Sequence, residues 1–270
     1  MKKILLTAIL ATVALGASAF RTDTIKVATT YLATPEDVTV VVPDAADQGG
    51  RFPSVYLLNG YDGNHLQWLK TQPDLGALAD RYGMIFVLPD GRDSWYWDSP
   101  VQPELQMESF ITKDLVPYID SHYPTVAIPA KRAITGFSMG GHGSLWLAAR
   151  HPELFASAGS MSGGVDIVPF LGRWNIVKVL GDPSTDEVKK IWEDHSVMSL
   201  VPAMKEAGTN IIFDCGVDDF FAQVNDNLHQ ALKDAKVPHD YISRPGGHTH
   251  PYWRNALLYH LVYFNEIFKK

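Results

Sequence analysis

Ala133-Ile134-Thr135-Gly136-Phe137-Ser138-Met139-Gly140-Gly141 runs from an apolar, strand-like segment into one of helical period, with a serine at the join. Its centre fits the pattern Gly-x-Ser-x-Gly. With Gly and Ser each at about 7% of residues, such a pentapeptide arises by chance on the order of 0.1 times in a chain this long, so the flanks decide its meaning. Ala133–Phe137 leads in as a strand and Gly140–Arg150 leads out as a helix. A sharp strand-to-helix turn lifts its central side chain above the C-terminal edge of a sheet, and glycines on either side let the backbone pass without a Cβ clash. The positive end of the following helix favours an oxyanion formed there. Ser138 is the candidate nucleophile; the plainer alternative is a glycine-rich helix start capped by a serine.

Outward from this turn the pattern alternates. Strand-like runs rich in β-branched residues at Thr24–Tyr31 and Asp37–Val42 predict an antiparallel opening pair. Ser54–Leu58, Ile85–Leu88, Ala133–Phe137, Ala156–Ser160, Asn210–Asp214 and Asp240–Ser243 read as short strands. Helical period falls between them at Leu75–Tyr82, Glu104–Ser121, Gly140–Arg150, Val224–Ala235 and Tyr252–Phe268. Such alternation predicts an α/β fold, a mostly parallel central sheet with helices on both faces. Val165–Thr209 departs from it, carrying Phe170, Trp174 and Trp192 and helical stretches near Thr185–Trp192 and Val197–Glu206. It is either an insertion that walls a pocket or a long connection packing its aromatics into the core.

The chain has 270 residues, 46% hydrophobic and 20% charged, with no internal repeat or low-complexity tract. One domain over 20–270 is the simplest division. Residues 1–19 read differently: Lys2 and Lys3, an apolar run from Ile4 to Leu15, then Ala17-Ser18-Ala19. This predicts a signal peptide cleaved near Ala19–Phe20, a secreted or periplasmic protein, and no stable membrane anchor after cleavage. Loss of Lys2 and Lys3 moves the net charge from −7 to −9, with 21 basic against 30 acidic residues. An acidic chain without a Lys/Arg cluster is a poor binder of nucleic acid. Cys215 is the only cysteine, which excludes an intramolecular disulfide and Cys-based zinc sites.

A serine hydroxyl needs a base to take its proton. In the α/β-hydrolase arrangement that a nucleophile elbow marks, the partners follow in the order Ser, acid, His, each on a loop after a later strand. Gly246-Gly247-His248 follows the run Asp240–Ser243 and makes His248 the candidate base, with His250 and His142 as competitors. His248-Thr249-His250 lacks a third ligand at metal-site spacing, so no metal is expected. The acid falls in Cys215-Gly216-Val217-Asp218-Asp219-Phe220: Asp219 first, Asp218 second, with Asp214 still inside the strand. A buried aspartate there would orient the imidazole and stabilise the imidazolium. The loop Asn59-Gly60-Tyr61-Asp62-Gly63-Asn64 has the position and glycines to complete an oxyanion hole, with the backbone N–H groups of Tyr61 and Met139 as donors. Trp68, Trp95, Tyr96, Trp97 and Trp174 are either aromatic platforms for a substrate or core packing.

Taken together, Leu57-Leu58-Asn59-Gly60 with Gly63-Asn64, Ser94-Trp95-Tyr96 with Asp98-Ser99-Pro100, Gly136-Phe137-Ser138-Met139-Gly140-Gly141, Cys215-Gly216 with Asp219-Phe220, and Pro245-Gly246-Gly247-His248 with Tyr252-Trp253 resemble the esterase D family. That group includes tributyrin and acetyl esterases, S-formylglutathione hydrolases, feruloyl esterases and mycolyltransferases. The resemblance runs from about Ser54 to Phe268 and implies an α/β-hydrolase fold, a Ser138–Asp219–His248 triad and no cofactor. Many members carry His-Gly where this chain has Asn59-Gly60, so hydrogen bonding beneath that loop is expected to differ. The substrate expected is a small-molecule or oligosaccharide ester, with short acyl or feruloyl groups on carbohydrates. The alternatives are acyl transfer of the mycolyltransferase type and an S-formylglutathione hydrolase-like thioesterase.

Overall fold

The computed structural model describes residues 20–270; the expected signal peptide and its cleavage point at Ala19 lie outside the described residues. Eight strands join one sheet: β1 (Arg21–Val27), β2 (Glu36–Val42), β3 (Ser54–Leu58), β4 (Ile85–Pro89), β5 (Arg132–Gly136), β6 (Ser157–Met161), β7 (Asn210–Gly216) and β8 (His239–Arg244). Their order across the sheet is β1-β2-β4-β3-β5-β6-β7-β8. β2 pairs antiparallel with both β1 and β4, and every pairing from β4 to β8 is parallel. This is the expected α/β-hydrolase architecture.

The residues of β3 explain the layering. All five are buried, and side chains on a strand alternate between faces. Val55 and Leu57 pack in one core, with Leu75, Phe86, Trp253, Leu257 and Leu261; Tyr56 and Leu58 pack in another, with Val87, Ile134, Leu145 and Leu147. The helices Leu75–Tyr82 and His250–Phe268 therefore cover one face, while Met139–Arg150 covers the other. The chain leaves β3 for β4 on one side and then returns to place β5 on the other. A crevice opens where the strand order reverses in this way, at the carboxyl ends of the strands.

Two expectations need correction. The first strand lies at Arg21–Val27 rather than Thr24–Tyr31, because it pairs residue for residue with β2, from Arg21↔Val42 to Val27↔Glu36. β2 ends there, and Leu32 forms a bridge with Leu105 instead. That bridge, with the Ala33 N–H donating to the Glu104 carbonyl, holds residues 104 and 105 out of the expected helix, which begins at Met107. It passes through a π-helical stretch, Phe110–Leu115, into Val116–His122.

The segment from Val165 to Thr209 holds short helices at Ile176–Leu180, Asp186–Asp194 and Val201–Ala207. Thr185 caps the second by accepting from the Val188 N–H at 3.3 Å. Its tryptophans divide between core and crevice. Trp192 is core, its indole N–H donating to the Gly181 carbonyl at 3.0 Å. Trp174 reaches the crevice.

Candidate active site

The turn after β5 has the strained geometry its sequence predicts. Ser138 sits at φ 57°, ψ −120°, a region that side-chain-bearing residues rarely occupy. Two neighbours must be glycine for the turn to exist. A Cβ on Gly136 would lie 2.6 Å from the Gly140 backbone, and one on Gly140 would lie 2.4 Å from the Leu58 carbonyl oxygen. The helix Met139–Arg150 thus starts hard against the end of β3.

His248 reaches this serine from the loop after β8. Its Nε2 is 2.9 Å from Ser138 Oγ, and its Nδ1 is 2.9 Å from Asp219 Oδ2 and 3.1 Å from Oδ1. A carboxylate only accepts, so the proton rests on Nδ1 and the Nε2 lone pair faces the serine hydroxyl. The Asp219 side chain is fully buried and also accepts from the Phe221 N–H at 2.8 Å. Its loop turns tightly, the Asp219 N–H donating to the Gly216 carbonyl at 3.0 Å. Gly216 is needed there, since a Cβ would meet the Gly246 carbonyl oxygen at 2.2 Å; the two loops pack backbone against backbone.

The competitors fall elsewhere. The Asp218 side chain is exposed, and its N–H donates to the Gly246 carbonyl at 2.9 Å, bracing the histidine loop. Asp214 is buried against His260 Nε2 at 2.9 Å, inside the sheet. His142 donates from Nδ1 to the Gly164 carbonyl at 2.9 Å, and burial pushes its pKa down to about 3, so it stays a neutral core residue. Nδ1 of His250 lies 2.8 Å from Thr71 Oγ1. The Thr71 hydroxyl already donates to the Gln67 carbonyl at 2.9 Å, so His250 is the donor in that pair. Among the described residues, no cluster of three or more His, Cys, Asp or Glu has metal-binding geometry.

Tyr61 lines the cleft beside Ser138, together with Phe137, Trp174, Phe220 and Trp253. Among the described residues the N–H groups of Tyr61 and Met139 have no protein acceptor. The loop of Tyr61 is held by Asn59 beneath it and by Gln67 and Asn175, which no local sequence pattern reveals. Gln67 Oε1 accepts from the Gly60 N–H at 2.9 Å. Asn59 Oδ1 accepts from the Gly91 N–H and the Tyr96 hydroxyl, each at 2.9 Å. Asn175 donates from Nδ2 to the Tyr61 hydroxyl at 2.7 Å, tying the Val165–Thr209 segment to the loop across the cleft.

The aromatic platforms are corrected by burial. Trp68, Trp95, Tyr96 and Trp97 are each at most 1% exposed and offer no face to a ligand. Trp68 donates to the Leu58 carbonyl at 2.9 Å, and Trp95 and Trp97 stack at 5.6 Å around His142. Only Trp174 of the expected set lines the cleft, stacked at 5.8 Å on Phe220, which lies over His248. Phe220 follows the acid directly and was absent from the expected set.

The Esterase family model matches residues 29–264, a span that contains all of these groups. An acetyl esterase of Caldicellulosiruptor saccharolyticus is 29% identical over 218 residues, covering 76% of this chain and 80% of that protein. An S-formylglutathione hydrolase of Mus musculus is 25% identical over 257 residues, covering 84% and 88% respectively. A solved ferulic acid esterase superposes with a TM-score of 0.78 at 26% identity, over 92% of this chain and 98% of its own.

Proposed function

Because this chain belongs to the Esterase family, the esterase D group, and is a serine carboxylesterase, we propose that it cleaves short-acyl or hydroxycinnamoyl esters of carbohydrates through an acyl-enzyme on Ser138. The observation that carries the reading is a single imidazole, His248, within 2.9 Å of both Ser138 Oγ and the buried Asp219 carboxylate.

In this mechanism His248 Nε2 takes the hydroxyl proton as Ser138 Oγ bonds to the ester carbonyl carbon. The carbonyl oxygen becomes an oxyanion held by the Tyr61 and Met139 N–H groups, and Asp219 stabilises the imidazolium. His248 then gives its proton to the alcohol oxygen as the C–O bond breaks. A water, deprotonated by the same nitrogen, releases the acid and restores Ser138.

The aromatic cleft of Tyr61, Trp174, Phe220 and Trp253, about 330 Å³, offers ring faces and room for a short acyl or hydroxycinnamoyl group. The likenesses to an acetyl esterase and a ferulic acid esterase support the same substrate range. An exported location, the reading of residues 1–19, suits extracellular polysaccharide fragments. Release of acetate and ferulate from xylan fragments tests the proposal, with S-formylglutathione as the comparison substrate. Release of neither acid, or a clear preference for the thioester, rejects it.

A further inference from the structure

Two clefts meet at Gln67 and His250. The first holds Ser138 and is walled by aromatics. The second, about 400 Å³, is lined by Asp62, Gly63, Asn64, Gln67, Lys70 and His250 and has no aromatic wall. Both residues at the junction line both clefts, so the two clefts adjoin there.

The hydrogen-bonding state of the second groove restricts what it can take. Gln67 spends its Oε1 on the Gly60 N–H and keeps its amide N–H groups. His250 spends its Nδ1–H on Thr71, leaving Nε2 as an acceptor, and burial followed by repulsion from His248 lowers its pKa, which keeps it neutral. Among the described residues, Lys70 and Asp62 have no ion-pair partner. The groove therefore presents donors from Gln67 and Lys70 and acceptors from Asp62 and His250, none committed to another side chain. Opposite charges and mixed donors and acceptors suit neither a hydrocarbon nor an anion; they suit a neutral polyol. The groove is also prebuilt: Asp62 is held at φ 59° with its N–H donating to Asp93 Oδ1 at 3.1 Å.

Direction follows from the chemistry. The alcohol oxygen must face His248 Nε2 to receive its proton, and the polar groove begins at His250, two residues further on. We infer that the hydroxyl-rich alcohol half of the ester lies in the groove between His250, Asp62 and Lys70, while the acyl half stays among the aromatics of the first cleft. This inference rests on the esterase reading above.

The test is a specificity ratio between two esters of one acid: acetylated xylobiose, which fills the groove, and 4-nitrophenyl acetate, which does not. In Lys70→Ala and Asp62→Ala the ratio of kcat/KM for the sugar ester to that for the aryl ester is expected to fall roughly tenfold, as loss of a hydrogen bond to a charged group implies. The fall should appear mainly in KM for the sugar ester. A ratio unchanged within about twofold of the unmodified chain overturns the inference. An unmodified chain that turns over neither ester refutes the hydrolase reading beneath it, a result distinct from a flat ratio.

Discussion

The Tyr96 hydroxyl donates to Asn59 Oδ1 at 2.9 Å, directly beneath the loop that carries Tyr61. The Tyr96 ring is buried, and the partner of its hydroxyl is the residue that departs from the His-Gly pattern of the family. The pair holds the loop from below while Gln67 holds it at Gly60. Tyr96→Phe keeps the ring in the core and removes only the bond. We expect a loss of about 1 kcal/mol in stability and a fall of about three- to tenfold in kcat, with KM little changed. Urea denaturation and steady-state kinetics on one aryl ester check both parts.

The two adjacent aspartates separate cleanly. Asp219→Asn loses the acceptor that fixes the His248 tautomer, and kcat should drop by about 10³ to 10⁴. Asp218→Asn keeps the backbone bond to Gly246 and should stay within about threefold of the unmodified chain. Equal effects at the two positions would mean that the acid is misassigned.

Gly140 tests the packing of the elbow. A Cβ there meets the Leu58 carbonyl oxygen at 2.4 Å and the Asn59 carbonyl oxygen at 2.7 Å, and neither backbone can move freely. Gly140→Ala should cost about 3 kcal/mol and disturb Ser138. Gly172→Ala, at φ +77° with nothing within 4 Å of its Cβ, should cost only about 1 kcal/mol of backbone strain. Thermal unfolding of the two variants gives the comparison.

Glu108 predicts how stability depends on acid. Burial alone would raise its pKa, but bonds from His151, Arg150 and Trp146, at 2.7, 2.7 and 2.9 Å, hold it down at about 2. A carboxyl lower in the folded state than its usual value of about 4.3 adds stability above that value and loses it as pH falls toward the folded one. The amount is roughly 3 kcal/mol. His151, raised by the same carboxylate despite its burial, is protonated throughout this window. In Glu108→Gln the decline of urea midpoint between pH 5 and pH 2 should be shallower than in the unmodified chain.

Periodicity made the sheet legible because short, mainly apolar runs such as β3 and β4 alternate with segments of helical period. The grouping of Ser138, His248 and Asp219 was legible because each follows a strand end: Gly136, Gly216 and Gly246 mark turns where backbones nearly touch. What failed depended on tertiary contact. The first strand is placed by the length of β2 rather than by its own β-branched residues. Trp95, Tyr96 and Trp97 look like a platform in sequence, yet they pack around His142 and beneath Asn59. Gln67 and Asn175 carry no motif, and Phe220 stood in one without a role; their roles arise from pairings across the cleft, one of them spanning 114 positions of chain.

The most direct test of the central claim is labelling with a fluorophosphonate, which bonds to a serine only when a base has activated it. One adduct per chain is expected, mapped to the peptide containing Ser138, with ester hydrolysis lost in step and no adduct in Ser138→Ala. An adduct on another residue, or ester hydrolysis that persists in Ser138→Ala, would contradict the account.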